Sequence, residues 1–342
     1  MYVIHTVCAV RNAKGTTVTS DAMIVTQRLR KSFRGTQVLD GIDIEVSRGE
    51  IFALLGPNGA GKTTTVNILT TLLKPDAGSA SIAGIDVVRD PALARSALSL
   101  TGQFAAVDPF QTGAENLAMM ARLAHFGRRA TRRRTAELLE QFDLEDAAGR
   151  RASTYSGGMR RRLDLAISLI AAPPVVFLDE PTTGLDPRSR NQMWAVVREL
   201  TASGTTILLT TQYLEEADQL ADTVAVLNHG NIVATGTPTE LKAGLDGNRV
   251  ELSFETDAAY AAALRLDFGQ GVVFDGERWS VSVPTTNPVH TTRELLALAD
   301  RHELAVSNIS LLKPTLDDVF LHLTGSATTT PLTNTGAEEA AA

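Results

Sequence analysis

The segment GPNGAGKT at residues 56–63 constrains the fold of this chain more than any other. It follows IFALL (51–55), a continuous apolar run typical of a buried strand, and precedes TTVNILTTLL (64–73), which has helical spacing. A loop of this composition between a strand and a helix is the G-x-x-x-x-G-K-[ST] pattern, whose backbone N–H groups converge on phosphate oxygens. The sequence therefore predicts a nucleotide-phosphate site at a strand–loop–helix junction.

The residue types of this loop match the charge and shape of a nucleotide phosphate chain. Glycines allow the tight turn, and the helix that begins near Lys62 points the positive end of its dipole at the anion. Lys62 adds a positive charge on the β- and γ-phosphates, and Thr63 offers a hydroxyl to Mg²⁺. An ordinary glycine-rich turn would not need this lysine and threonine between these flanks. We therefore assign nucleotide contacts to Gly56, Asn58, Gly59, Gly61, Lys62, Thr63 and Thr64.

A second motif, VVFLDEPTTGLDP at 175–187, places two adjacent carboxylates at the end of an apolar strand. In nucleotide-binding α/β proteins, ligands sit at the carboxyl ends of the strands. Asp179 is assigned to the Mg²⁺ shell and Glu180 to the attacking water, as general base. A solvated strand end is the alternative interpretation, and the preceding phosphate loop favours the catalytic one.

Further apolar runs alternate with helical segments and predict the rest of the core. Strands separated by helices indicate a mainly parallel sheet covered on both faces. Between about residues 105 and 172 the spacing of apolar residues is mostly helical, which indicates a helical insertion. The runs that predict further strands are IDIEV (42–46), VVFLD (175–179), TILLT (206–210) and VAVLN (224–228).

Charge and composition exclude several classes of protein. The formal net charge is −7, from 32 Lys and Arg against 39 Asp and Glu, which argues against a surface devoted to polyanions. A single cysteine, Cys8, excludes an intrachain disulfide framework. No run approaches the roughly 20 apolar residues that a membrane helix needs, and the first residues lack a secretory signal pattern. If the protein works at a membrane, another chain has to supply the span.

YSGGM at 155–159 lies between the phosphate loop and the two carboxylates. These motifs, in this order, resemble the ATP-binding subunit of an ABC transporter over about residues 23–240. YSGGM resembles the signature motif of that family, with Tyr and Met in place of its commonest Leu and Gln. The resemblance implies a head-to-tail dimer, in which the signature contacts the γ-phosphate of an ATP held by the second copy. The residues implied in this contact are Ser156, Gly157 and Gly158.

The same resemblance implies roles for residues outside these motifs. Phe33, in KSFRG, matches the aromatic residue that stacks on adenine, and an ordinary edge-strand aromatic residue is the alternative. Gln103, in TGQF, matches the glutamine that touches Mg²⁺ or the attacking water and couples to the membrane subunit. Asp186, in TGLDP, matches the loop that crosses the dimer interface, although it could simply begin a turn.

Gln212 departs from the family pattern. TTQYLEEAD matches the switch region, where a histidine normally contacts the γ-phosphate. A glutamine amide can donate a hydrogen bond but cannot titrate near neutral pH. We therefore expect slow but real hydrolysis. The resemblance then implies catalytic roles for Glu180, Gln212 and Gln103, and metal contacts from Thr63, Gln103 and Asp179.

Two basic runs need a separate account. Arg160, Arg161 and Arg162 follow the signature glycines, and successive helical residues point about 100° apart, so they cannot form one flat patch. One of them can approach the nucleotide or the second copy, while the others fit a solvated face or pairs with nearby acids. RLAHFGRRATRRR (122–134) contains six arginines and no acids. It fits a membrane partner, anionic lipid head groups or a solvated helix face.

The resemblance implies an α/β fold: a P-loop NTPase ABC cassette with a mainly parallel sheet, an antiparallel β portion and a helical insertion. We predict this domain over residues 23–244. Residues 245–325 have the order strand, helix, strand, strand, helix, strand, which predicts a small C-terminal α+β ferredoxin-like domain with a closing helix. Residues 1–22 are predicted to be a leader, with either Met1 or Met23 as the natural start, and residues 326–342 a disordered tail.

A narrower resemblance, to the daunorubicin-resistance type of drug-export ATPases, rests on TGQFAAVDPF, TYSGGMRRRLDLA, LLTTQYLEEAD and PTLDDVFLHLTG. The narrower resemblance implies a separate transmembrane permease, export of a drug-like or lipophilic compound, and a peripheral position on the cytoplasmic side of the cell membrane. ATP and Mg²⁺ as cofactors and a second copy as partner are implied by the wider ABC resemblance. We expect no nucleic-acid partner, because related nucleic-acid ATPases need a long coiled-coil insertion or a second cassette, and the net charge is negative. Two alternatives stay open: a non-transport ATPase acting on nucleic acid, and an ATP-gated regulatory module with little hydrolysis.

Overall fold

The computed structural model describes residues 21–102, 106–244 and 247–324. Contacts divide the chain into two compact units, Met1–Glu240 and Leu241–Ala342, and each is described by itself. The predicted tail, and the predicted leader except for its last two residues, lie outside the described residues.

A four-stranded antiparallel sheet lies in the first unit. Its strands are β1 (Ala22–Phe33), β2 (Thr36–Ser47), β4 (Ala77–Ile82) and β5 (Ile85–Asp86). They are ordered β2-β1-β4-β5. In the second half of β2 the apolar residues Ile42, Ile44 and Val46 are buried and alternate with exposed acids, as the sequence predicts. One face of this sheet therefore belongs to the core.

A six-stranded sheet forms the centre of the same unit. Its strands are β3 (Ile51–Leu55), β6 (Leu98–Thr101), β7 (Val175–Asp179), β8 (Thr206–Thr211), β9 (Thr223–Asn228) and β10 (Asn231–Gly236). The order is β10-β9-β3-β8-β7-β6, and neighbours are parallel except for the β9–β10 hairpin. Every residue of β3, β7 and β8 is buried, which explains their continuous apolar sequences. Phe52 and Phe177 of this sheet share one hydrophobic core with Ile24 and Ile42 of the antiparallel sheet.

The helices of the first unit connect these strands. They are α1 (Lys62–Leu69), α2 (Pro91–Ser96), α3 (Gly113–Leu123), α4 (Arg128–Gln141), α5 (Gly157–Ser168), α6 (Pro187–Ala202) and α7 (Leu214–Leu220). Three of them, α3 to α5, lie within the predicted helical insertion. A short helix, α8 (Pro238–Ala243), follows β10 and contains the boundary between the two units. Among the described residues, no helix combines the length and the apolar character needed to cross a bilayer.

The carboxyl ends of three parallel strands meet at one edge of the central sheet. Leu55 of β3 pairs with Thr211 of β8, and Asp179 of β7 pairs with Thr210 of β8. The phosphate loop leaves the sheet directly after Leu55. This register therefore brings the loop to the same edge as the acidic strand end and the segment that follows Thr211.

The second unit contains a four-stranded antiparallel sheet with the predicted order of elements. The elements are β11 (Asn248–Phe254), α9 (Asp257–Ala263), β12 (Val273–Asp275), β13 (Ser280–Thr285), α10 (Pro288–Arg301), β14 (Val306–Leu312) and the closing helix α11 (Leu316–Thr324). The strands are ordered β12-β13-β11-β14. Val250, Leu252 and Phe254 alternate along β11 and pack with Leu295 and Ala299 of α10 in a separate core.

Candidate nucleotide-binding and catalytic site

The phosphate loop fits only glycine at two of its positions. A β-carbon built on Gly56 would overlap the carbonyl oxygen of Leu227 in β9. One built on Gly61 would lie 2.5 Å from Cδ2 of Leu39, and Gly61 has a φ of 113°, where other residues are strained. No side chain caps the N-terminus of α1, so the first N–H groups of that helix are available to an anion. The loop is therefore built as a phosphate cradle.

Lys62 lies buried at the start of α1. Its Nζ donates to the carbonyl oxygens of Gly56, at 2.7 Å, and Pro57, at 3.2 Å. Burial lowers the pKa of Lys62, while the charges of Glu180 and Asp179 act to raise this pKa. The field of both carboxylates thus reaches the lysine, as expected if they share one phosphate-binding site.

The two carboxylates at the end of β7 have different surroundings. Asp179 is buried and accepts a hydrogen bond from the hydroxyl of Thr210 on the neighbouring strand. Glu180 is half-buried, its N–H donates to the carbonyl of Thr210 at 3.0 Å, and its Oε2 accepts from Oγ1 of Thr183 at 3.3 Å. These contacts suit a fixed metal ligand and a more accessible base.

The backbone of Glu180 is strained, with a φ of 49°. Such a conformation in a residue other than glycine costs about 1–3 kcal/mol and persists only where the surroundings impose it. A positive φ does not by itself identify the site, because other described residues such as Arg28, Thr71 and Ala172 share it.

Gln212 is exposed directly after β8. The preceding Thr211 is buried, and its Oγ1 accepts a hydrogen bond from the backbone N–H of Tyr213 at 2.9 Å. This turn fixes the backbone on both sides of Gln212 at the edge where Leu55 enters the phosphate loop. The amide of Gln212 makes no hydrogen bond within the described part of the chain and can donate to a ligand.

Phe33 and Thr63, which are predicted to contact the adenine base and the metal, are both exposed. Phe33 ends β1 with 44% of its surface exposed, and Nζ of Lys31 lies 5.6 Å from its ring centroid. Thr63 is exposed one residue into α1. Gln103 lies outside the described residues. Within those residues no cluster of three or more His, Cys, Asp or Glu could hold a metal on its own. Thr63 and Asp179 fit Mg²⁺, which commonly takes few protein ligands and completes its shell with phosphate oxygens and water.

The signature segment (Ser156–Gly158) lies at the N-terminus of α5. Ser156 is the N-cap of this helix, and its Oγ accepts from the backbone N–H of Met159 at 3.2 Å. A β-carbon on Gly157 would meet nothing within 4 Å, whereas one on Gly158 would overlap Oγ of Ser189. Gly157 therefore presents an open surface, and Gly158 permits close packing of α5 against α6.

Asp186 is the N-cap of α6. Its Oδ1 accepts from the N–H of Ser189 at 2.9 Å, and its Oδ2 accepts from the hydroxyl of Ser189 at 2.8 Å. These bonds, the backbone bond first, lower the pKa of Asp186. Because Ser189 also contacts Gly158, the structure brings Asp186 and the signature segment together.

The three arginines after the signature have three different surroundings. Arg160 is exposed, with one long hydrogen bond of 3.4 Å to the carbonyl of Tyr155. Arg162 is buried and pairs with Oδ2 of Asp143 at 3.0 Å. Arg161 reaches the backbone on either side of Glu180, a contact that the sequence does not reveal, because helical spacing alone cannot say which face of α5 meets β7.

Comparison with known proteins gives close relatives over nearly the full chain. Residues 39–183 match the protein family described as ABC transporter. The chain is 48% identical over 319 residues to the daunorubicin/doxorubicin resistance ATP-binding protein DrrA of Streptomyces peucetius, covering 92% of this chain and 96% of that protein. It is 37% identical over 311 residues to the Nod factor export ATP-binding protein I of Ralstonia nicotianae (strain ATCC BAA-1114 / GMI1000), covering 91% of this chain and 96% of that protein.

Solved structures of ATP-binding cassettes have the same fold. One, an ATP-binding subunit of an ABC transporter, matches with a TM-score of 0.58 and 28% identity, over 65% of this chain and 92% of that chain. Another, an ABC transporter cassette in its ADP conformation, matches with a TM-score of 0.58 and 26% identity, over 64% of this chain and 92% of that chain. The predicted cassette fold is confirmed, and the ferredoxin-like assignment of the second unit stays a prediction.

Several independent observations now agree. The phosphate loop, the buried lysine and the two carboxylates meet at one edge of a parallel sheet, and the relatives share nearly the whole length of the chain. The chain belongs to the ATP-binding subunits of ABC transporters, and it is an ATPase.

Proposed function

We propose that two copies of this chain pair head to tail and enclose two ATP molecules. Each ATP lies between the phosphate loop of one copy and the signature segment of the other. The open surface at Gly157 supports this arrangement. Within the described residues, no hydrogen bond or ion pair joins the phosphate loop to the signature segment, so a second chain can complete the site.

Within each site the residues divide the chemistry of hydrolysis. Lys62 and the loop N–H groups bind the phosphates, and Phe33 stacks on adenine. Thr63 and Asp179, with Gln103, hold Mg²⁺, which supplies positive charge to the phosphates. Glu180 orients and polarises the attacking water, and Gln212 donates its amide hydrogen to the γ-phosphate. The observation that carries this scheme is the strand register, which brings the phosphate loop, Asp179 and the segment after Thr211 to one edge of the central sheet.

Loss of the γ-phosphate removes the bridge between the two copies, and the dimer opens. The helical insertion transmits this motion to a separate transmembrane permease on the cytoplasmic side of the cell membrane. Relatives named for daunorubicin/doxorubicin resistance and for Nod factor export support export of a drug-like or lipophilic compound.

The basic run at 122–134 supports a contact outside the chain. Arg134 is used internally, donating to the carbonyl of Leu169 at 2.8 Å. Arg122, Arg128 and Arg132 make no ion pair in the described part of the chain and line a cleft of about 880 Å³ between α3 and α4. These free positive charges suit an acidic surface of the permease.

The direct test is a Glu180→Gln variant. With Mg²⁺ and ATP it should bind nucleotide, sediment as a dimer and release phosphate only at the background rate. Glu199→Gln is the matched control, because Glu199 is an exposed carboxylate near the C-terminal end of α6, three turns beyond Asp186. A Glu180→Gln protein that stays monomeric with ATP, even beside its permease, would refute the dimer.

Two other activities would give different results in binding and turnover assays. A nucleic-acid ATPase would retard DNA in an electrophoretic shift assay at physiological salt, which we do not expect of a chain with a net charge of −7. A regulatory module would bind ATP without completing a single turnover. Single-turnover measurement with radiolabelled ATP separates this last case from a transport ATPase.

A further inference from the structure

Arg161 connects α5 to the backbone around Glu180. Its Nε donates to the carbonyl of Pro181 at 2.9 Å, and one terminal nitrogen (NH2) lies 3.2 Å from the carbonyl of Asp179 and 3.3 Å from that of Glu180. The other terminal nitrogen (NH1) donates to the carbonyl of Gly102 at 2.6 Å. All three guanidinium nitrogens are thus used, and they reach two segments distant from Arg161 in the chain.

Asp164, one turn further along α5, completes the connection. This residue is 4% exposed, and its Oδ1 accepts from the backbone N–H of Ala106 at 2.7 Å. Its Oδ2 lies 3.5 Å from NH1 of Arg161. Gly102 and Ala106 are the described residues on either side of Gln103, so the pair on α5 holds both flanks of that segment.

The electrostatics of the pair favour a fixed position. Burial lowers the pKa of Arg161, and the charges of Asp164, Asp179 and Glu216 oppose this change. Burial raises the pKa of Asp164, and its bond to the N–H of Ala106 and the charge of Arg161 lower it. A planar guanidinium whose nitrogens all bond to fixed backbone atoms has one available geometry, which an ammonium group cannot reproduce.

We propose that Arg161 is a positioning residue that sets the catalytic backbone of Glu180 according to the position of the signature helix α5. The signature segment begins the same helix, so a displacement of α5 is carried by Arg161 to the carbonyls of Asp179, Glu180 and Pro181. Engagement of the signature by a second copy thereby adjusts hydrolysis in the chain that carries the signature. This inference rests on the proposed head-to-tail dimer.

The test compares Arg161→Lys with Arg198→Lys, two substitutions that keep the charge and replace a guanidinium that donates to backbone carbonyls. Arg161→Lys should lower kcat for ATP about tenfold to a hundredfold, because displacement of a catalytic group by about 1 Å can cost that much, while KM stays within about twofold. Arg198→Lys should leave kcat unchanged, since Arg198 is exposed on α6 and its described hydrogen bond goes to the carbonyl of Gln219, at 2.8 Å. Asp164→Asn, which keeps an oxygen for the N–H of Ala106, should lower kcat in the same direction.

A second readout separates positioning from general structural damage. Placed in the Glu180→Gln protein, Arg161→Lys should leave ATP-dependent dimer formation intact, whereas a misfolded cassette would lose it. Wild-type kcat in Arg161→Lys or in Asp164→Asn overturns the inference, as does a rise in KM without loss of kcat. If the Glu180→Gln protein with Arg161 intact fails to dimerise with ATP, that result overturns the proposed function instead.

Discussion

Gly158 and Ser189 stand so close that a β-carbon built on the glycine would overlap Oγ of the serine and lie 2.7 Å from its Cβ. The same serine donates its hydroxyl to Asp186, the N-cap of α6. The side chain of Ser189 therefore fixes the start of α5 relative to the start of α6. The two glycines of the signature thus have separate tasks, although they are adjacent in sequence.

Replacing Gly158 by alanine should lower the free energy of unfolding by about 1–3 kcal/mol, because the added methyl group forces α5 and α6 apart. Urea unfolding measures this change. Gly157→Ala is the matched control: its β-carbon would meet nothing within 4 Å, and alanine favours a helix. We expect it to keep the stability and to weaken ATP-dependent dimer formation. Equal loss of stability in both variants would contradict the division of tasks.

Lys62→Met should abolish the rise in melting temperature that Mg²⁺ and ATP produce. In the wild type, ATP at 100 times its Kd adds about 2.7 kcal/mol to the free energy of unfolding, which raises the melting temperature. Methionine fills a similar volume without a buried charge, so the variant should fold normally without nucleotide. Differential scanning fluorimetry gives both results. Lys74→Met, which changes an exposed lysine after α1, should respond to ATP as the wild type does.

Substitution of Gln212 tests whether its amide contacts the γ-phosphate. Gln212→Ala should slow steady-state phosphate release roughly tenfold, since a hydrogen bond to a charged group is worth about 1.5–3 kcal/mol. Gln212→His should remain active, because an imidazole N–H can donate to the same oxygen. The control is Gln219→Ala, at an exposed position on α7. Unchanged phosphate release in Gln212→Ala would exclude this contact.

Glu216, on α7, should make stability depend on pH. It is fully buried, and its Oε1 accepts from Nε1 of Trp194 at 3.3 Å. Its Oε2 has no hydrogen-bond partner of good geometry in the described part of the chain. Burial raises the pKa of Glu216, and the nearby hydroxyls of Thr211 and Thr182 oppose this rise only in part. The carboxyl group of Glu216 therefore stays protonated to a higher pH in the folded chain than in the unfolded chain.

The sign of the effect follows from this difference in bound protons. The stabilising contribution of Glu216 is complete below the ordinary glutamate pKa and is lost as the pH rises through the higher pKa of the folded state. Glu216→Gln cannot ionise, so its free energy of unfolding relative to the wild type should be greatest at pH 8 and should decrease towards pH 5. Urea unfolding of both proteins between pH 5 and pH 8 measures this change in the free-energy difference. A difference that is constant with pH would show that Glu216 keeps an ordinary pKa.

Local chemistry made much of the site predictable from the sequence. The loop at 56–63 carries its own requirements for glycine, lysine and threonine, and the continuous apolar runs identify β3, β7 and β8, because strands buried on both faces contain few polar residues. The different roles of Gly157 and Gly158 could not be predicted. They depend on Ser189, a residue distant in the chain, and on how α5 packs against α6.

The arginine run illustrates the same limit. Arg160, Arg161 and Arg162 are identical in sequence, and their roles follow from the face of α5 that each occupies. Only the assembled fold shows that the middle one reaches the carbonyls around Glu180. Long-range packing, rather than residue type, decides which of the three bears on hydrolysis.

The positive φ of Glu180 has a further consequence for how this chain can change. At that position, glycine would relax the backbone and remove the carboxylate. The residue with the least backbone strain is therefore one without a catalytic group. A screen that rewards heat resistance alone should therefore enrich inactive proteins altered at this position. Robustness and turnover are in direct conflict at this one residue of the cassette.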